Sequence, residues 1–156
     1  MSKKILVAVD DSENALRAVE FVSNSFSTDN KITLFNVIQD TATLCKMNSP
    51  ELTPYFKSQQ SAFCVLEEKK KELVNQAVEK ARNILMDAGF DENNITVKSE
   101  VKKSGVARDI VKEAESGYNV IVMGRRGVSG IKEFILGSVS QKVFNLAKDI
   151  SVLVVN

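Results

Sequence analysis

The sequence predicts an α/β fold: an open, five-stranded, mostly parallel sheet in the order 3-2-1-4-5 with helices on both faces. Three observations predict it. Uninterrupted apolar runs at 5–9 and 120–123 read as strands buried on both faces. Segments with apolar residues at helical spacing alternate with such runs, giving the series βαβαβαβαβ. The length of 156 residues, 44% of them apolar, suits one domain, spanning 1–156, around one core. Alternation implies parallel strands joined by right-handed crossovers. It leaves strand order open, and the doubly wound order is the expectation. That order puts a topological switch point between strands one and four, where such folds bind ligands.

The elements follow in chain order. Ile5 to Val9 is a strand stopped by Asp10 and Asp11. Ser12 or Asp11 caps a helix with Ala15, Ala18, Val19, Val22 and Phe26 on one face. Ser27-Thr28-Asp29-Asn30 breaks it, and 32–37 is the second strand. Residues 38–64 show no period and are interrupted by Pro50 and Pro54, so a short helix or a lid is expected within an irregular connection. From 66 to about 88 the helical period returns, with Leu66, Leu73, Ala77, Ala81, Ile84, Leu85 and Ala88 on one face and Gly89 as the stop. Ile95, Val97 and Val101 alternate with Thr96, Lys98 and Glu100, the pattern of a half-exposed edge strand. A short helix at 106–115 turns Ile110, Val111 and Ala114 inward and ends at Gly117. The strand at 120–123, a glycine-spaced loop, a helix from 138 to about 147 and a last strand at 152–155 complete the chain.

Composition excludes several functions. Lys plus Arg number 21 and Asp plus Glu 20, so a net charge of +1 gives no footprint for nucleic acid or an anionic membrane. With no histidine there is no Ser-His-Asp or Cys-His chemistry and no histidine metal site. Cys45 and Cys64 lie outside any C-x-x-C pair and are read as two reduced thiols; a bridge between them requires an oxidising compartment. The apolar run at 5–9 is too short for a signal-peptide core or a membrane span, and the expected address is the cytoplasm.

The segment that carries chemistry runs from Gly124-Arg125-Arg126-Gly127 to Leu136-Gly137-Ser138-Val139-Ser140. It leaves a buried strand and ends where a helix starts. Glycines let the backbone approach a ligand without a Cβ clash. Free N–H groups at the helix start suit a phosphate, the dipole adding about 0.3–1 kcal/mol. The hydroxyls of Ser138 and Ser140 add donors. Arg125, Arg126, Lys132 and Glu133 leave a local surplus of two positive charges. The loop is neither a Walker loop nor a dinucleotide fingerprint: G-x-x-x-x-G-K-[ST] is absent, and G-x-x-G-x-x-G here follows the fourth strand, not the first.

The fuller spacing, Gly124-x2-Gly127-x9-Gly137-Ser138, resembles the nucleotide signature of the universal stress protein family in its ATP-binding branch. The resemblance extends through the opening strand at 4–12, Gly105-Val106-Ala107, the strand at 120–124 and the closing strand. It implies a Rossmann-like fold of the adenine nucleotide alpha hydrolase-like kind, with ATP, ADP or AMP bound. Carried over residue by residue, it implies that Asp10 faces the ribose or a phosphate-bound Mg²⁺, with Ala8 and Val9 supplying backbone nearby. Val37 would lie against the adenine. Gly124, Gly127, Gly137 and Ser138 would wrap ribose and phosphates, with Met123, Val139 and Ser140 completing the wall. At least one of Arg125 and Arg126 is expected to reach phosphate oxygens. Read by its residues alone, Asp10 is more readily an N-cap than a ligand-facing group, and two solvated surface arginines stand level with a phosphate contact.

The last strand carries no charge, and such an edge is usually covered or paired. The resemblance implies pairing through 152–155 with a second subunit, giving a homodimer. Three functions then compete: a nucleotide-dependent dimeric switch in stress signalling, a slow ATPase or phosphotransferase using Asp10 and Mg²⁺, and a dimeric scaffold that binds no nucleotide. The intact glycine spacing argues against the scaffold.

Overall fold

Five strands form one sheet in the order β3-β2-β1-β4-β5. They are β1 (Lys4–Ala8), β2 (Lys31–Ile38), β3 (Ile95–Val101), β4 (Val120–Gly124) and β5 (Ser151–Val155). Every pairing is parallel. The computed structural model describes residues 2–39, 45, 54–125 and 137–156. The expected strand order is therefore observed, with a sheet parallel throughout.

The two faces follow from strand periodicity. Ile5, Val7, Ile32, Leu34 and Val122 point to one side, where Ala15, Ala18, Val19, Val22, Ala81 and Leu85 cover them. Leu6, Phe35, Ile121 and Met123 point to the other, against Ala107, Ile110, Val111, Ala114 and Val143. Both faces are buried, so β1 and β4 show apolar runs rather than alternation.

Helices α1 (Glu13–Ser25) and α2 (Pro54–Asp87) supply the first cover, and α3 (Val106–Ala114) and α4 (Ser138–Leu146) the second. Ser12 caps α1, its Oγ accepting from the Ala15 N–H at 3.3 Å. Gly89, at φ +102°, ends α2. There the Phe90 N–H bonds the Leu85 carbonyl and the Gly89 N–H the Met86 carbonyl, so orphan carbonyls of the last turn are satisfied.

Helix α2 corrects the sequence expectation. It starts at Pro54, not near 66, and runs for 34 residues, about 51 Å at 1.5 Å per residue. Proline is tolerated in the first turn because that N–H has no intrahelical partner, so Pro54 opens the helix instead of breaking it. The buried residues of α2 are Val74, Ala77, Ala81 and Leu85, all in its second half. Leu66 and Leu73, expected inward, are exposed. The first half has no apolar period because it buries no face.

The cysteines correct a second expectation. Cys45 and Cys64 are joined by a disulfide, with Cα atoms 5.8 Å apart. A separation of 19 positions along the chain carries no information about proximity in space.

At the sheet edges, β3 guards its exposed side with Lys98, which bonds both carboxylate oxygens of Glu113 at 2.9 Å and lies 3.4 Å from Glu100. β5 has no charged residue, and Val152 to Val155 are half-buried. Among the described residues no helix is long and apolar enough to cross a membrane.

Candidate functional site

A crevice of about 320 Å³ lies at the C-terminal ends of β1, β2 and β4, where the chain departs to opposite sides of the sheet. This is the switch point expected of a doubly wound fold, and the volume suits a small molecule.

β1 delivers Ala8, Val9 and Asp10 to the wall. The Val9 N–H bonds the Phe35 carbonyl at 2.9 Å, which fixes the turn above the sheet. Asp10 Oδ1 accepts from the Ser12 N–H at 2.8 Å and from the Ser12 hydroxyl. Ser12 in turn caps α1. Ser12, not Asp10, is therefore the N-cap; Asp10 stands behind it and borders the crevice.

β2 delivers Phe35, Asn36, Val37 and, just beyond it, Gln39. Val37 sits where the sequence put it. Asn36 was not anticipated. It is 8% exposed, faces the crevice, and has no side-chain hydrogen bond to any described residue. Among the described residues no buried side-chain polar atom lacks a partner, so the Asn36 amide is one that opens onto the crevice. Within a strand it looks like one polar interruption in an apolar run, which the sequence alone leaves unexplained.

β4 delivers Met123 and Gly124. A Cβ built on Gly124 would lie 2.2 Å from the Asn14 carbonyl oxygen. This glycine therefore admits the start of α1 against the end of β4, a packing need distinct from approach to a ligand. Arg125 continues the pairing of β4 with β5 through its N–H to the Val155 carbonyl at 2.8 Å. Its guanidinium donates to Asn156 Oδ1 at 3.1 Å.

α4 closes the site with Gly137, Val139 and Ser140. Gly137 is the N-cap and offers no side-chain hydrogen bond, so no cap side chain occupies the first amides of α4. Ser140 is buried, and its hydroxyl donates to the Gly124 carbonyl at 3.3 Å. It ties α4 to β4, whereas the sequence reading gave that hydroxyl to a ligand. Ser138 lines the neighbouring groove between α3 and α4 instead of the crevice. Arg126 and Gly127 lie outside the described residues.

Two further elements reach the crevice. Val106 and Ile110 come from α3, and Lys70 and Val74 from α2. Lys70 also lines a side groove with Asn36, Gln39 and Glu67. The sequence placed Lys70 in a run read as a solvated face, so its position here was not foreseeable from charge pattern.

The turn before α3 is held by Asp109, which is buried. Its carboxylate accepts from the Lys103 N–H at 2.8 Å and the Ser104 N–H at 3.1 Å. Burial pushes this carboxyl up, but backbone N–H groups of residues 103, 104 and 105 outweigh it, and its pKa falls below the ordinary 3.8. Among the described residues no cluster of three metal-ligating side chains exists.

Comparison with known proteins converges on one family. The family model described as the universal stress protein family matches residues 1–156. A universal stress protein of Mycolicibacterium smegmatis is 28% identical over 144 residues; the match covers 92% of this chain and 45% of that protein, so the chain spans under half its length. Universal stress protein MJ0577 of Methanocaldococcus jannaschii is 31% identical over 154 residues, covering 92% of this chain and 88% of that protein. The solved structure of MJ0577 aligns with a TM-score of 0.67 at 28% identity over 99% of this chain and 96% of that one. A universal stress protein solved in complex with cAMP shares the fold, with a TM-score of 0.60 at 18% identity over 99% and 97% of the two chains.

Proposed function

This chain belongs to the universal stress protein family, and from that premise we propose that its crevice binds an adenine nucleotide, ATP foremost, and that the bound nucleotide switches the state of a dimer in stress signalling. The observation that carries this reading is the convergence in one crevice of an uncapped helix start and the Asn36 amide, which opens onto the crevice and has no side-chain hydrogen bond to any described residue. The first suits a phosphoryl group. The second suits a base edge, since an amide offers both a donor and an acceptor. A protein of this fold holds cAMP, an adenine nucleotide, which supports the ligand class.

In this reading Ala8, Val9, Asp10 and Val37 border the nucleoside, while Met123, Gly124, Gly137, Val139 and Ser140 border the phosphates. The crevice suits a phosphate-bound Mg²⁺ through the carboxylates of Asp10 and Asp11, both of which line it. The ion would offset repulsion between those carboxylates and the phosphates.

Dimerisation through 152–155 is part of the proposal. The uncharged β5 edge supports it, in contrast to the guarded β3 edge. Light scattering should give twice the chain mass; a monomer at micromolar concentration refutes the dimer.

The test of ligand class is mass spectrometry of small molecules released from purified, denatured protein, followed by calorimetric titration with ATP, ADP and AMP. Adenine nucleotide bound with little turnover is expected. No release together with no heat at millimolar ATP overturns the reading. The position of Asp10 also favours slow hydrolysis; turnover of labelled ATP that disappears in Asp10→Ala would establish it, and equal turnover in that variant would exclude it.

A further inference from the structure

Beside the crevice, on the outer side of Ser138, a groove of about 670 Å³ runs between the starts of α3 and α4. Among the described residues its charged lining consists of Lys102, Arg108 and Lys142, all exposed, with no carboxylate. The ion pairs among the described residues engage Arg82 and Lys98, not these three. The nearest acid in sequence, Asp109, faces the backbone of residues 103 and 104. In a chain whose net charge is +1, three cations around one cavity, none of them paired with an acid among the described residues, form a concentrated local field.

We propose that this groove is a second anion site, which takes a phosphoryl group outside the crevice. The chemistry of its walls supports a phosphoryl over a carboxylate ligand. Several donors approach from different sides, matching an anion with three peripheral oxygens. Ser104 and Ser138 add hydroxyls. The helices on either side begin at Gly105 and Gly137, neither of which supplies a side-chain cap. Val106 and Val139 line both the groove and the crevice, so the two spaces adjoin. The phosphoryl group belongs to a separate phosphorylated small molecule, seated next to whatever occupies the crevice. The proposal does not require the nucleotide reading.

The full chain is titrated calorimetrically with inorganic tripolyphosphate, alone and with AMP present, at low and physiological ionic strength. The comparison is a triple variant, Lys102→Gln, Arg108→Gln and Lys142→Gln, whose fold is checked by circular dichroism and thermal melting. Wild type should bind tripolyphosphate in both conditions, more weakly as salt rises. The variant should lose about tenfold or more of that affinity, while AMP affinity stays within about twofold because the substituted groups lie outside the crevice. If ATP affinity falls with AMP unchanged, the groove holds only the tail of the crevice nucleotide and the second site is overturned; if ATP is unaffected, it holds a separate anion. Tripolyphosphate that fails to bind, or that binds the folded variant as tightly as wild type, overturns the proposal. Binding that depends on the three cations in a protein that ignores AMP and ATP would leave the groove standing and remove the nucleotide reading instead.

Discussion

The two ends of the sheet use their polar groups differently. At the N-terminal ends of the strands, polar groups pair with each other. Asn30 accepts from the Lys3 N–H at 2.7 Å and donates to the Ser27 carbonyl at 2.9 Å. Asn119 accepts from the Lys4 N–H at 2.8 Å. The Tyr118 hydroxyl lies 3.2 Å from Thr33 Oγ1 and 3.1 Å from Glu113, and the Lys4 ammonium sits 4.1 Å from the Tyr118 ring centre. These bonds join β1 to its two neighbours. At the C-terminal ends, Asn36 has no partner among the described residues, α4 has no side-chain cap, and three cations border a groove without a carboxylate. One end commits its polar groups to the fold. The other leaves them open toward a ligand, as expected where parallel strands end in a doubly wound sheet.

The sharpest way to break this contrast is Gly124→Ala, because that position serves both ends of the argument. Its Cβ would meet Asn14 backbone atoms at 2.2 and 2.4 Å, and backbone cannot step aside as a side chain does. Overpacking of this kind costs about 1–3 kcal/mol or more. Urea denaturation should show that loss, and nucleotide affinity should fall with it as α1 moves from β4. An unchanged midpoint would remove the packing role.

Asn30→Ala tests the committed end. It removes the partner of the Lys3 N–H in a part-buried setting and should cost about 0.5–1.5 kcal/mol, with nucleotide affinity unaltered. Asn36→Leu tests the open end and should do the reverse. Stability should hold or rise by up to about 1 kcal/mol, because an amide that makes no side-chain bond to any described residue is exchanged for an apolar group of similar size. Adenine nucleotide affinity should drop. If Asn36→Leu destabilises the protein as Asn30→Ala does, the two ends are not different in kind.

The smallest expected effect concerns pH. Because Asp109 has a folded pKa below 3.8, its stabilisation is complete above that value and is lost as pH falls through the lower folded value. Asp109→Asn should flatten the acid limb of stability measured between neutrality and pH about 3, leaving the neutral region without a slope from this group. An acid limb identical in the two proteins would show that the N–H groups before α3 do not hold the charge.

Much of this was legible in the sequence. The apolar runs of β1 and β4 announced a doubly covered sheet, and Gly89 announced the end of α2. Of the expected binding residues, Ala8, Val9, Asp10, Val37, Met123, Gly124, Gly137, Val139 and Ser140 line one crevice. What escaped has physical reasons. Helix 54–73 buries almost nothing, so no period marks it. Asn36 is one amide in a buried strand, and only the absence of a neighbour distinguishes it. Lys70 reaches the crevice because α2 crosses above β2, which no charge pattern encodes.

The sequence alone determined the layers of this protein, since apolar periodicity dictates which surfaces must leave water. It also determined where the chain turns tightly, since only certain residues permit those turns. Tertiary structure decided which of those turns face one another, that Cys45 meets Cys64, and which polar groups are left without a partner. Proximity between distant segments is a property of packed elements in three dimensions, and a one-dimensional pattern of polarity does not contain it.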